Sequence, residues 1–363
     1  MAGKRASIRD VAQASGVSLT TVSLVLNGND QRISEATRAR VRKAIGDLGY
    51  TPSRLARGLP NRRANMLAIL LPALHNAFAD VYFGELIGGI YEAAADRGYR
   101  ILLEVARRSY VQKREYMRLL DDCSVDGIFF CGSTEEHEWV GEFDGTDRPL
   151  MIVNNLFDRW DLHHVLCDYA SAGRLAAEYL VGLGHRRIGH VSGPVDMVQT
   201  ARELTDAFVG RLEELGVRLG DQLVMRGEFQ AETAKLACDE LLAREPGLTA
   251  VFCANDKMAM GVYQSVRESG REVGEDVAVM GCDDIPLASL AQPGLTTVSL
   301  NFGEVGRRAC GRMIDLIESK GRSEGGGVSR VSERVPVHLV ERSSTNGAAG
   351  RVGRVVADTS GAG

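Results

Sequence analysis

The chain has 363 residues, 44% of them hydrophobic and 25% charged, with a formal net charge of −5. That length asks for two or three domains rather than one, and no apolar run reaches the ~18 residues that a membrane helix needs. The start, MAGKRASIRD, lacks the apolar stretch of a secretory signal, and the seven unclustered cysteines (Cys123, Cys131, Cys167, Cys238, Cys253, Cys282, Cys310) read as reduced thiols of a cytoplasmic protein.

Charge divides the chain unevenly. Residues 1–63 hold 12 Lys/Arg and 4 acids, a balance of +8, whereas the remainder holds 31 basic and 44 acidic residues, a balance of −13. A basic head on an acidic body suggests a polyanion-binding module joined to something else. The bland alternative is a solvated basic face.

In SIRDVAQAS, Ile8, Val11, Ala12 and Ser15 repeat at the period of one helix face. Ser7 is placed to cap that helix, with Asp10 three residues on. Gly16 ends it, because only glycine takes the left-handed corner without steric cost. The next stretch, GVSLTTVSLVLNG, carries no charge. Ser18 caps a second helix whose Val22, Val25 and Leu26 face inward, while Thr20, Ser23, Leu24 and Asn27 form another face. A third helix starts near Ser34, turns Val41, Ile45 and Leu48 inward and ends at Gly49. Two short helices around a glycine turn, then a third, make a helix-turn-helix. In that motif the second helix enters the DNA major groove, and small Ser, Thr and Asn side chains permit close approach to bases and phosphates. A helix-turn-helix used only for protein contact is the alternative.

The segment SIRDVAQASGVSLTTVSLVLNG resembles the N-terminal signature of the lactose-repressor (LacI/GalR) family of bacterial transcription regulators. ISEATRARVRKAIGDLGYTPSRLARGL resembles that family's third helix and hinge. The resemblance continues to about Thr345, and it implies roles residue by residue. Leu19 and Thr20 match the positions that open the recognition helix and read bases. Leu24 matches a position that is often Arg in the family. Leucine cannot make the bidentate contact to guanine, so a thymine methyl or simple space-filling is the expected role. Ser18, Thr21, Ser23, Asn27, Arg32 and Tyr50 match positions that hold the DNA backbone. SRLARGL, Ser53 to Leu59, matches the hinge helix, with Leu59 as the minor-groove wedge and Ala56 one turn before it; such a wedge unstacks a base step and bends the duplex. Gly58 and Pro60 flank Leu59, so the hinge is expected to be disordered off DNA. The alternative for Leu59 is a linker residue with no contact.

From Asn65 the pattern changes. Aliphatic runs (MLAILLP, RILLEV, VDGIFFCGS, PLMIVNN, RIGHVSG, TAVFCAND, VAVMGCDD) alternate with helical stretches (FGELIGGIYEAAADRGY, ARRSYVQKREYMRLLDDC, ASAGRLAAEYLVGLGH, ARELTDAFVGRLEELG, ETAKLACDELLARE, KMAMGVYQSVRESG). This is the pattern of parallel sheets covered by helices, in two subdomains. No G-x-G-x-x-G, Walker loop, zinc spacing or G-x-S-x-G elbow accompanies it. His163 and His164 are adjacent and share no face. His185 reads as a turn histidine. No catalytic constellation, metal site or cofactor is expected, and the protein is not expected to be an enzyme.

LGHRRIGHVSGP, AVFCANDKMAMG, VAVMGCDDIPLA and LTTVSLNF resemble the same family's core, which is similar to periplasmic sugar-binding proteins. The fold expected is α/β: an all-α head, then two doubly wound parallel-sheet lobes joined by three crossovers with a small ligand between them. The resemblance sets the head at 1–50, the hinge and linker at 51–64 and the core at 65–345. Within the core the N-lobe is expected at about 65–165 and 299–330, and the C-lobe at about 166–298 and 331–345. The Gly-rich tail, 346–363, is expected to be disordered. Ligands of such sheets sit at strand carboxyl ends, here His75, Asn154, Asn255, Asp256 and Asp283. The resemblance implies effector contacts at Asn154, Asn255, Asp283 and Phe302. Phe78, Tyr82 and Phe83 compete for one aromatic position, since HNAFADVYF is longer than the family's NPFF, and the choice among them stays open; Phe78 and His75 are counted among the expected effector contacts. Leu204 stands where the family commonly has a ligand-gripping Arg, and Arg202 is the nearest substitute. Asn154 stands where Asp is common. For Asp256 and Asp283 the alternative is capping of the segments that follow.

The reading is a ligand-responsive, sequence-specific DNA-binding repressor. Its expected partners are a palindromic double-stranded operator, a small-molecule effector of sugar type and a second copy of the chain, with no membrane. A regulator with no effector, an activator, an enzyme with a DNA-binding appendage and a transport-type sugar-binding protein are the rivals.

Overall fold

The computed structural model describes residues 6–26, 30–48, 50, 63–73, 80–132, 138–320 and 330–347. Its contacts divide into two units, Met1–Asn65 with Asp121–Asp126, and Met66–Leu120 with Gly127–Gly363.

The first unit holds α1 (Ile8–Ser15), α2 (Leu19–Leu26) and α3 (Glu35–Asp47). Local chemistry fixes each start. Ser7 and Asp10 form a reciprocal capping box. Ser18 Oγ accepts from the Thr21 N–H at 3.1 Å, and Ser34 Oγ caps α3 at the Thr37 N–H, 3.4 Å. Gly16 turns the chain with φ 62°. Val11, Ala12, Val22, Val25, Val41, Ala44 and Tyr50 form the core, with Ile8, Leu26 and Ile45 packed against it. Leu48, expected inside, is exposed: α3 ends at Asp47 and Leu48 is its C-cap, so Ala44 fills the inward position. Gly49 lies outside the described residues, as do the whole hinge segment 51–59 and residues 348–363 of the tail.

The second unit contains two sheets. The first has the order β11-β5-β4-β3-β1-β2, formed by β1 (Met66–Pro72), β2 (Arg100–Ala106), β3 (Gly127–Phe130), β4 (Leu150–Val153), β5 (His163–Cys167) and β11 (Ser332–Val335). The second has the order β12-β10-β9-β8-β6-β7, formed by β6 (Ile188–Ser192), β7 (Val224–Arg226), β8 (Ala250–Cys253), β9 (Ala278–Asp283), β10 (Thr296–Ser299) and β12 (His338–Val340). Pairing is parallel except between β10 and β12. The central strands β1, β3 and β4 are buried almost throughout, as expected of strands covered on both faces.

Helices cover the sheets: α4 (Val81–Asp96), α5 (Arg108–Gln112), α6 (Glu115–Asp121), α7 (Tyr169–Gly182), α8 (Gln199–Glu214), α9 (Ala231–Arg244), α10 (Asp256–Glu268), α11 (Pro286–Leu290) and α12 (Phe302–Lys320). The helix expected across 106–123 is two short ones, interrupted at Arg114, which takes φ 50°. The close crossing of α4 and α12 depends on Gly89, where a Cβ would collide with the Gly303 carbonyl.

The chain crosses between sheets three times. The first crossing follows Cys167 at the end of β5, the second follows Ser299, and the third lies between Val335 and His338. The boundaries expected at 165/166 and 330/331 therefore both move. β5 runs through the first, and β11 pairs with β5 in parallel and belongs to the first lobe. β11 is a polar edge strand, so its sequence carries no aliphatic run to mark it.

Candidate functional site

Two surfaces concern function, and each is local to one unit. On the head, α2 buries Val22 and Val25 and leaves Leu19 44% and Leu24 38% exposed. Thr20 beside them is exposed too. Leu19, Thr20 and Leu24 thus stand together on the outward side of an uncharged helix. Ser18 and Thr21 share a hydroxyl hydrogen bond of 2.9 Å at the start of α2. Ser23 is partly buried and Arg32 is exposed, with no ion pair to Arg32 among the described residues. Tyr50, expected on the backbone-contacting surface, has its ring in the head core. Asn27, Ala56 and Leu59 lie outside the described residues.

The head also holds a feature that sequence reading missed. Asp30 is 7% exposed and pairs with Arg38 at 3.5 Å and Arg42 at 3.7 Å. Two of the twelve basic groups are thus partly neutralised from within, which a charge count cannot reveal.

The second surface lies at the carboxyl ends of the two sheets. Backbone there is repeatedly left-handed at non-glycine residues: Asn154 (φ 55°) after β4, Asp283 (φ 130°) and Asp284 (φ 63°) at the end of β9, and Asn301 (φ 50°) after β10. Such conformations cost about 1–3 kcal/mol each and persist where the surroundings enforce them.

Asn154 is the centre of the polar network. Its Oδ1 accepts from the Cys167 N–H at 3.1 Å, which fixes the amide orientation. Its Nδ2 therefore donates to the Tyr169 hydroxyl at 2.7 Å and the Tyr82 hydroxyl at 3.3 Å. Tyr82 stacks edge-on against Phe302 (4.9 Å between centroids) and Phe83 (4.8 Å). Phe83 and Phe302 are buried, while Tyr82 and Tyr169 keep partial exposure. Burial pushes both phenols well above their ordinary range, so both stay protonated. Of Tyr82 and Phe83, Tyr82 is the one tied to Asn154 and Phe302 among the described residues. Phe78 and His75 lie outside the described residues. Tyr169 was missed by sequence reading. Its signal was positional: Asp168 caps α7 at the Ser171 N–H, 3.0 Å, directly after β5, and so marks Tyr169 as a strand-end residue.

Two carboxylates here differ in role. Asp256 is fully buried and accepts from Thr297 Oγ1 at 2.5 Å and the Ile285 N–H at 2.9 Å. It ties β10 to the segment after β9, a structural task. Burial raises its pKa to about 7, against the opposing hydrogen bonds. Asp283 is partly exposed and close to Tyr82, Tyr169 and Cys167. Loss of hydration lifts its carboxyl well above the usual range, and Asp256, Asp80 and Glu85 add to the effect. Asn255 spends its Oδ1 on the cap of α10, at the Met258 N–H, 2.8 Å. Arg202 binds the Val195 carbonyl at 2.8 Å and the Asp196 carbonyl at 3.4 Å. Leu204 is 1% exposed in the hydrophobic core. The geometry thus brings Asn154, Asp283 and Phe302 together with Tyr82 and Tyr169, and gives Asn255 and Arg202 partners of their own.

Among the described residues no group of three His, Cys, Asp or Glu side chains is arranged to hold a metal ion, and no helix is long and apolar enough to cross a membrane.

Both parts of the chain are similar to known proteins. Residues 7–53 match the family described as bacterial regulatory proteins, lacI family, and residues 177–345 match a periplasmic binding protein-like domain. The HTH-type transcriptional repressor PurR of Vibrio atlanticus (strain LGP32) is 32% identical over 340 residues, covering 93% of this chain and 98% of that protein. Among solved structures, the transcriptional regulator CelR in complex with cellobiose is 30% identical with a TM-score of 0.69. The Lac repressor dimer bound to operator and the anti-inducer ONPF is 26% identical with a TM-score of 0.79. Each covers 94% of this chain and 100% of the other.

Proposed function

Because this chain belongs to the lacI family of bacterial regulatory proteins, we propose that it is a cytoplasmic repressor whose operator affinity is set by a small, sugar-type molecule bound at the strand ends of its core. Two copies present their heads to a palindromic operator. Leu19, Thr20 and Leu24 read base edges, Ser18, Thr21, Ser23 and Arg32 hold the backbone, and Ala56 with Leu59 enters the minor groove. Asn154, Asp283 and Phe302 contact the effector. Effector binding shifts the lobes between two arrangements; a coupling of about 1–3 kcal/mol changes operator affinity roughly 5- to 150-fold.

The observation that carries this reading is the outward face of α2, where Leu19 and Leu24 are exposed while Val22 and Val25 hold the core. The test is selection of genomic fragments by the purified protein at physiological salt, with and without a panel of sugars and nucleosides. The expected result is one enriched palindrome whose recovery changes with one class of small molecule. Recovery of fragments without a common sequence under every condition contradicts it.

A further inference from the structure

We propose that Asp126 is a positioning residue for DNA recognition: it fixes the point and direction at which the linker leaves the core. The proposal rests on the repressor reading above and adds a residue to it. That residue stands at the amino ends of the strands in the first sheet, away from the carboxyl ends where the effector contacts lie.

The tie itself is the first argument. The Ala64 N–H donates to Asp126 Oδ1 at 2.7 Å, a bond between residues 62 apart in sequence. A backbone N–H bonded to a carboxylate is charge-assisted and stronger than a bond between neutral groups. The β1 ladder reaches back only to Met66. Asn65 then turns left-handed, with φ 51°, and is exposed. The bond to Asp126 carries the hold past that turn, onto the last residues of the linker.

The acceptor stands on a fixed element. Val125 is 3% exposed, and Gly127 opens β3 directly beneath α12. A Cβ at Gly127 would come within 2.7 Å of Met313 Sδ. Packing on both sides of Asp126 therefore sets its place, and β3 pairs with β1, Leu67 opposite Gly127.

Position along the chain is the second argument. Ala64 and Asp126 both belong to the first unit, whereas Met66 and Gly127 open stretches of the second. The tie thus sits where the chain passes from one unit to the other, and the basic head joins the core through this stretch. A head delivered through a held exit loses less freedom on binding than one on a swivel. That cost enters where head, linker and core must take one arrangement together, as on an operator. Binding to arbitrary DNA is governed by phosphate charge and does not require it.

The test compares the full-length natural protein with Asp126→Ala and Asp126→Asn. Amide exchange followed by mass spectrometry across residues 63–67 reads the tie. Exchange at Ala64 should quicken at least about 10-fold in Asp126→Ala. It should stay near the natural rate in Asp126→Asn, which keeps an acceptor oxygen. Fluorescence anisotropy then reads binding to the palindrome recovered in the genomic selection and to a random duplex of equal length. Asp126→Ala should bind the palindrome about 10-fold more weakly and the random duplex within about 2-fold of the natural protein. Asp126→Asn should restore most of the difference. A merely structural role would weaken both duplexes together. Unchanged exchange in Asp126→Ala, equal losses on the two duplexes, or an Asp126→Asn protein that behaves like Asp126→Ala overturns the proposal and leaves the repressor reading standing. A selection that yields no palindrome overturns both.

Discussion

Arg334 and Glu203 join the two lobes through an ion pair of 2.7 Å. Arg334 lies on β11 in the first sheet, and Glu203 lies on α8 after the first crossing. Asp158, in the segment after β4, and Gln199, at the start of α8, bond reciprocally across the same divide. Both contacts are polar and partly exposed, so they hold one arrangement of the lobes without locking it.

The Arg334–Glu203 pair should therefore be weak. A double-mutant cycle with Arg334→Ala and Glu203→Ala, read by thermal unfolding, is expected to give a coupling of about 0.2–1 kcal/mol that shrinks in 1 M salt. A coupling of several kcal/mol, unaffected by salt, would mean that the pair is a fixed structural bond.

Asp256 gives a pH signature. Its folded pKa of about 7 lies above the unfolded carboxylate value of 3.8. The folded state therefore binds the extra proton between those limits, and this contribution is full below pH 3.8 and is lost as pH rises through 7. Asp256→Asn keeps a neutral side chain able to accept from the Ile285 N–H. The melting-temperature advantage of the natural protein over Asp256→Asn should fall steadily from pH 4 to pH 7. An advantage that grows over that range would show that Asp256 is held as a carboxylate.

Arg32 should act through phosphate alone. Arg32→Ala is expected to weaken binding to every DNA sequence alike and to reduce the slope of log affinity against log salt by about 0.9. Titration of specific and random duplexes by fluorescence anisotropy at four salt concentrations measures both. A change of sequence preference would move Arg32 to the base-reading set.

Sequence and structure agree best where the chemistry is local. Ser7, Asp10, Gly16, Ser18 and Ser34 set the head helices through bonds spanning three or four residues, so composition at those positions was enough to read them. The aliphatic strands were legible for a related reason: strands buried on both faces must be aliphatic throughout. Edge and crossing elements were not. β11 reads SERV and β5 opens on two histidines, and β11 finds its place on β5, a partner more than 150 residues earlier. The site divides the same way. Asn154 and Asp283 stand at recognisable strand ends, but the Asn154–Tyr169 and Asp30–Arg42 contacts depend on where separate elements meet. Leu48 failed because helical period alone does not say where a helix stops.

The outward face of α2 is expected to read DNA sequence. Leu24→Arg tests it most directly, since Leu24 is exposed and off the core and arginine supplies the guanine contact that leucine lacks. Genomic fragments selected by the natural protein and by this variant should share one palindrome that differs at one symmetric position, with guanine gained there by the variant. An unchanged palindrome, with affinity altered uniformly across all fragments, would contradict the claim and assign α2 to the backbone.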